Sequence, residues 1–243
     1  MSVPKPMPLW LSFILFITPS ILLLIATQLI MPWLEQITGM QNVLTWFLAG
    51  GIFVFIPVFL STIIGFKLEK GLQTFDAFCQ RMRMHPMNKE DWKWVGLGLV
   101  GAFLGSGILT GLFFLLSKWT SIIQPLTSNP PFLQFNGFPN GKEWMLIYWI
   151  PFFFFNIFGE ELWWRGYILP RQELQHGKHA WLVNGLLWIV FHAAFGLDLM
   201  IMLLPLMLLQ PWIVQRRKNT WIGIWIHALY NGPIFIAISL NLL

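Results

Sequence analysis

Cysteine and charge are what this chain has least of, and each scarcity excludes something. A single cysteine, Cys79, among 243 residues rules out an internal disulfide and any zinc site built from thiolates. Charged residues make up 10% of the chain, against about 25% in an ordinary soluble domain. With 56% of positions hydrophobic, a water-soluble fold of this length has too little polar surface to cover its apolar side chains.

What is present instead is a set of apolar runs, at roughly 8–31, 43–66, 94–117, 144–164, 181–197, 199–214 and 220–242. A stretch of about 20 such residues crosses a bilayer as a helix. The fifth and sixth runs are short, as tilted, broken or half-inserted segments are. Inside lipid the backbone must satisfy its own hydrogen bonds, which leaves helices or a closed barrel, and runs without alternation choose helices. The expected fold is therefore all-α, a polytopic transmembrane bundle of about seven spanning helices forming one domain over 1–243. The first run begins within ten residues of Met1. It is too long for a signal-peptide core and has no small-residue cleavage site, so an uncleaved anchor is expected.

Charge placement tests this segmentation. With the N-terminus inside, the inner segments carry Lys5; Lys67, Lys70, Arg81, Arg83, Lys89 and Lys93; Arg165, Arg171 and Lys178; and Arg216, Arg217 and Lys218. These are thirteen of the fifteen basic residues, leaving only Lys118 and Lys142 outside. Positive charge belongs on the cytoplasmic side, so a cytoplasmic N-terminus is expected; the short loops of this compact chain, with the family resemblance given below, imply a bacterial plasma membrane. The net charge of +5 reflects topology and gives no sign of a nucleic-acid partner.

The connecting segments carry little chemistry. The longest inner one, 67–93, reads as a solvated connector near anionic headgroups, with room for an amphipathic surface helix. The outer one, 118–143, holds the turn signals Ser128-Asn129-Pro130-Pro131 and Asn136-Gly137 and could partly cover the outer face. Gly101/Gly105 and Gly107/Gly111 are four apart in the third run and are expected to let helices approach inside the bundle. Trp10, Trp33, Trp94, Trp144, Trp181 and Trp221 fall near helix ends, where indoles anchor at the interface.

A bilayer interior selects against ionisable groups, so each one there requires an account. The fourth run ends Asn156-Ile157-Phe158-Gly159-Glu160-Glu161-Leu162-Trp163-Trp164-Arg165; the fifth holds His192; the last holds His227 and Asn231. At about 1.5 Å per residue, Glu160 lies ~24 Å from Trp144, His192 ~16 Å from Trp181, and His227 and Asn231 ~9 and ~15 Å from Trp221. Three helices thus bring carboxylate, imidazole and amide groups to similar depths in the inner half of the membrane. His227 and Asn231 share a helix face, as do Glu161 and Arg165, whose order suits an ion pair. That pairing leaves Glu160, about 100° round the helix, free to point elsewhere. A carboxylate in an apolar surround beside a second one suits proton transfer near neutral pH. Two histidines and an amide can polarise a carbonyl, steady an oxyanion or bind a metal.

These residues resemble a known family. Glu160-Glu161-Leu162-Trp163-Trp164-Arg165-Gly166 matches the E-E-x-x-x-R motif of the CAAX-protease and bacteriocin-processing family, the type II CAAX prenyl endopeptidases and their bacterial relatives. Trp188-Ile189-Val190-Phe191-His192 follows F-x-x-x-H with Trp at the Phe position, and His227-Ala228-Leu229-Tyr230-Asn231 supplies H-x-x-x-N. The resemblance covers about 144–235. Trp188 keeps a large aromatic one turn before the histidine, so an altered pocket shape with intact chemistry is expected. The resemblance implies an intramembrane endopeptidase acting on a membrane-associated peptide or protein. Glu160 would be the base activating water, His192 would hold that water, His227 and Asn231 would stabilise the oxyanion, and Glu161 and Arg165 would support them. The site would open to the cytoplasmic half of the membrane.

No cofactor is favoured, because two histidines and an asparagine make a poor zinc set; a metal enzyme would use Glu160, His192 and His227. Other intramembrane chemistries fit less well. There is no H-E-x-x-H, Ser106 follows Leu104-Gly105 and so breaks G-x-S-G, and Asp198 is the only aspartate beyond the 67–93 segment. The alternative is a non-proteolytic protein of the same fold, an immunity or scaffold protein, or a proton-linked transporter, although no internal repeat is visible.

Overall fold

A computed structural model of the protein describes residues 4–69 and 71–242; Lys70, among the basic residues counted above, lies outside the described residues. The described residues are helical and contain no strand. The first helix, α1, runs over Leu9–Thr38 and α2 over Asn42–Leu68. A short α3, Phe75–Arg81, starts at Thr74, whose hydroxyl caps the Ala77 N–H. The fourth, α4, spans Lys89–Ser117 and opens with a reciprocal Asn88/Asp91 capping box. After a connector, 118–142, comes α5 over 143–176. Next is α6, Ala180–Phe191, which tightens into a 3-10 turn at His192–Phe195. The chain finishes with α7, Leu197–Met202, α8, Leu204–Arg217, and α9, Thr220–Ser239.

Five helical runs are long and apolar enough to cross a membrane, and the fourth of them, Glu143–Phe195, is 53 residues long. It contains the fourth apolar run of the sequence and nearly all of the fifth, folded apart at Gly177, whose φ of 56° lies in the left-handed region. The sixth run is divided between α7 and α8, of 6 and 14 residues. At about 1.5 Å per residue neither piece reaches across a core of about 30 Å.

Burial runs opposite to that of a water-soluble fold. On α4, Leu97, Val100, Leu104, Ile108 and Leu115 are exposed, while Glu160, Glu161, Arg165, Gln172, Asn184, His192, Gln210 and His227 are buried. An apolar exterior around a polar interior is what lipid as solvent requires; the protein is an integral membrane protein.

The two glycine pairs part company. A β-carbon at Gly101 would stand 2.7 Å from Leu209, and one at Gly105 2.6 Å from Pro205, so this pair lets α4 lie against α8. Gly107 and Gly111 have nothing within 4 Å and face away from the bundle.

The basic segments meet at one end of the bundle. Arg81 forks onto Glu69, Arg83 and Lys218 share Glu173, and Arg217 holds the α4 cap residue Asp91 at 2.8 Å. Arg165 does not join them: it is fully buried in α5. Cys79, in α3 at that same end, is partly buried, and burial, then the nearby Asp76 carboxylate, raises its thiol pKa above the ordinary value. Such a thiol has little thiolate character at neutral pH.

Candidate active site

The backbone around the two glutamates is not a plain α-helix. Phe154–Gly159 and Leu162–Ile168 are wound as π-helix, with Glu160 and Glu161 between them. Wide turns of this kind recur where a helix must aim side chains that a regular spiral would misdirect. In this protein one lies on each side of the glutamate pair, whose adjacent carboxylates point to different places.

Glu160 is 1% exposed and receives three N–H donors. Asn156 Nδ2 donates to Oε1 at 3.0 Å, while the indoles of Trp164 and Trp188 donate to Oε2 at 3.2 and 3.0 Å. Glu161 turns the other way. Its Oε1 accepts from His227 Nδ1 at 3.0 Å, and Oε2 lies 3.4 Å from Arg165 Nε. α9 comes this close because residue 223 is glycine: a β-carbon there would stand 2.6 Å from Glu161 Oε2 and 3.4 Å from Gln210 Nε2. The Arg165 guanidinium rests on the face of Trp188, 3.8 Å from the ring centroid.

The histidines are fixed through their Nδ1 atoms. His192 sits where α6 tightens, with Nδ1 2.9 Å from the Trp188 carbonyl oxygen. A carbonyl only accepts, so Nδ1 carries the proton, and in the neutral ring Nε2 is left as an acceptor. His227 directs Nδ1 at the Glu161 carboxylate and leaves Nε2 for other work. The Trp188 ring meets both imidazoles edge-on, at 5.4 Å for His192 and 5.3 Å for His227.

All four residues singled out by motif, Glu160, His192, His227 and Asn231, line one cavity of about 330 Å³. Tyr230 lines it too, its hydroxyl 2.9 Å from Ser106 Oγ on α4. The two supporting residues, Glu161 and Arg165, lie behind it and are fully buried. Asn156, Trp164 and Trp188 complete the site as donors to Glu160, a role that no motif assigns them. Asn156 and Trp164 stand four residues either side of Glu160 and could be found from that spacing; Trp188, on another helix, is visible as a motif position but its contact with Glu160 is not.

The cavity extends from Glu160 toward the connector. Its wall runs from Glu160 and His227 along Trp149, Phe153 and Phe235 to Ser128 and Pro130 of the connector and Ile238 at the end of α9. Among the described residues none from 67–93, 165–178 or 216–218 contributes to it. The reason is packing: Trp164, Trp188 and Arg165 are fully buried between the carboxylate and the basic end, and Phe16 of α1 stacks on Trp164 at 4.1 Å. The connector, which carries no chemical signal in sequence, is tied over the far end of the cavity. Asp198 accepts from the Thr127 N–H and hydroxyl at 3.0 and 2.8 Å, and Asn241 Nδ2 donates to the Phe138 carbonyl at 2.9 Å.

Among the described residues, no group of three or more His, Cys, Asp and Glu side chains is arranged to hold a metal ion. In the set Glu160, His192 and His227, both Glu160 oxygens face N–H donors.

Compared with known families, residues 142–232 match the type II CAAX prenyl endopeptidase Rce1-like family. The matched stretch contains every residue that the motifs identified, from Glu160 to Asn231. No curated protein and no solved structure matches the chain.

Proposed function

From the premise that the chain, through residues 142–232, is a CAAX-type membrane protease of the Rce1-like family, we propose that it hydrolyses a peptide bond of a membrane-associated substrate using water activated by Glu160. The observation that carries this is the convergence of Glu160, His192, His227 and Asn231 on one cavity. A water there has two protons to place. Glu160 takes one as general base, and Nε2 of neutral His192 accepts the other in a hydrogen bond that aims the oxygen lone pair at the substrate carbonyl. Attack breaks the carbonyl π bond and puts negative charge on its oxygen, which Asn231 Nδ2–H and His227 Nε2–H receive. An Nε2–H donor at His227 requires the doubly protonated ring, and Glu161 on Nδ1 supplies its countercharge. Collapse of the tetrahedral species breaks the C–N bond, and the proton held by Glu160 passes to the departing amine. Arg165 balances Glu161 and turns it from the cavity.

A C-terminal prenylated peptide is the first substrate to test, because the family is described as CAAX prenyl endopeptidases. The purified protein in lipid nanodiscs is given a fluorogenic lipid-anchored peptide in prenylated and unprenylated forms, with and without a strong chelator. We expect cleavage that survives chelation. Cleavage abolished by the chelator and restored by zinc would replace the metal-free mechanism. An absence of cleavage across the panel, with the protein folded, would overturn the peptidase reading.

The cavity direction yields a second measurement. In a Cys79→Ser background, which should keep full activity, Ser128→Cys should react with a membrane-impermeant maleimide on intact cells, and Lys178→Cys only after permeabilisation. Modification at 128 should also slow turnover, since Ser128 lines the cavity. Labelling in the reverse pattern would invert the orientation; a labelled but fully active Ser128→Cys would show that substrate arrives elsewhere.

A further inference from the structure

Trp188 stands at the centre of the site, touching most of its members at once. Its indole N–H donates to Glu160 Oε2 at 3.0 Å. Its main-chain carbonyl receives His192 Nδ1 at 2.9 Å. Its ring face carries the Arg165 guanidinium at 3.8 Å, and its ring lies 5.3 Å from that of His227. The side chain is fully buried, so the indole cannot turn away to water without leaving its N–H unpaired, at a cost that holds it in place. We propose that Trp188 is a positioning residue for peptide hydrolysis: its N–H fixes the direction of the Glu160 carboxylate, while its carbonyl fixes the tautomer of His192. This inference rests on the peptidase reading.

The two functions are separable by chemistry. Any residue at 188 offers the carbonyl, so the hold on His192 survives substitution. Only an N–H at the far edge of a bicyclic ring reaches Oε2. Phenylalanine, the residue of the resembling motif, keeps an aromatic face for Arg165 and lacks the donor. Trp164 donates to the same oxygen at 3.2 Å from one turn along α5. Oε2 is thus pinned from two helices, and Oε1, bonded to Asn156 alone, is the oxygen better placed to meet water. Losing the α6 donor frees the carboxylate to swing about its last torsion, and a base out of line with its proton loses rate more than affinity.

The test has one arm that needs no substrate. With ¹⁵N-tryptophan incorporated, the Trp188 indole resonance is identified as the one missing from Trp188→Phe. In Glu160→Gln it should move upfield, as when a carboxylate acceptor is lost. If it stays in place, the indole is not bonded to Glu160 and the proposal falls. In the kinetic arm, Trp188→Phe should lower kcat about 10- to 100-fold, the range for a hydrogen bond to a charged group, with KM within about twofold. Should Trp188→Phe fold poorly, benzothienylalanine at position 188 keeps the bicyclic shape and removes only the N–H; the same loss of kcat is expected. Unchanged kcat in the benzothienyl protein would overturn the positioning role, as would a rise in KM alone. If the unaltered protein cleaves nothing, the peptidase reading and the kinetic role fall together, whereas the contact itself stands or falls by the indole shift.

Discussion

Glu160→Gln should reduce turnover by the ~10²–10⁴-fold typical of losing a general base, with substrate still bound. Glutamine preserves length and reach but cannot accept the proton of water. The substitution is less innocent structurally than it looks. Both carboxylate oxygens of Glu160 face N–H donors, Oε1 from Asn156 and Oε2 from Trp164 and Trp188. Whichever way the new amide turns, its NH₂ meets at least one donor, and a buried clash of that kind costs about 1–3 kcal/mol. A modest fall in melting temperature should therefore accompany the loss of activity. The decisive measurement is cleavage by purified Glu160→Gln at matched folded fraction, beside a binding assay on the same peptide. Cleavage at the unaltered rate would remove Glu160 from the mechanism and end the glutamate-based proteolytic reading.

The second large effect should come from Arg165. Its side chain is fully buried, 3.4 Å from Glu161 and stacked on Trp188. Arg165→Ala leaves the Glu161 carboxylate buried with only His227 as partner, and breaking a buried pair on one side costs about 3–5 kcal/mol. Yield of folded protein should collapse. Arg165→Lys keeps the charge but not the planar group that lies over the indole, so it should fold with lower activity. Removing both charges, as Glu161→Gln with Arg165→Met, should restore most of the yield and little of the activity, because His227 would lose its countercharge. Yield follows from size-exclusion recovery and activity from the fluorogenic peptide. Arg165→Ala with normal yield and normal activity would show that the pair supports neither.

Much of this is readable from sequence, for identifiable reasons. Apolar runs and the basic segments are long, one-dimensional signals, so the bundle and its basic end are legible. Spacing of four within a helix gives the Glu161–Arg165 and His227–Asn231 pairs, and ordered motifs give the cavity's polar residues. The division of helices is harder. The run at 199–214 is apolar enough throughout, and only the fold shows that it splits at Leu203, between α7 and α8. The glycine pairs look alike in sequence, yet only Gly101/Gly105 meets a neighbour. Trp188 is visible as a departure from a motif but not as a donor, because which atom a ring edge reaches depends on where another helix stands. The cavity's direction is illegible for the same reason: it is set by what Trp164, Trp188 and Phe16 fill.

The two wide turns on either side of Glu160 make this stretch of chain sensitive to length as much as to composition. A wide turn holds one more residue than the α-helix it interrupts. Deleting a single residue from 157–159 would let that turn relax to regular winding, leave the helix before it facing nearly as it does now, and bring Asn156 to three residues from Glu160 in place of four. Asn156 would then approach the carboxylate from a different angle, although every remaining side chain would be unchanged. Point substitutions can sample chemistry at this site without ever touching that constraint. In homologous chains, alignment gaps placed between the outer end of α5 and its paired glutamates would mark proteins in which an amide no longer stands four residues before the first glutamate.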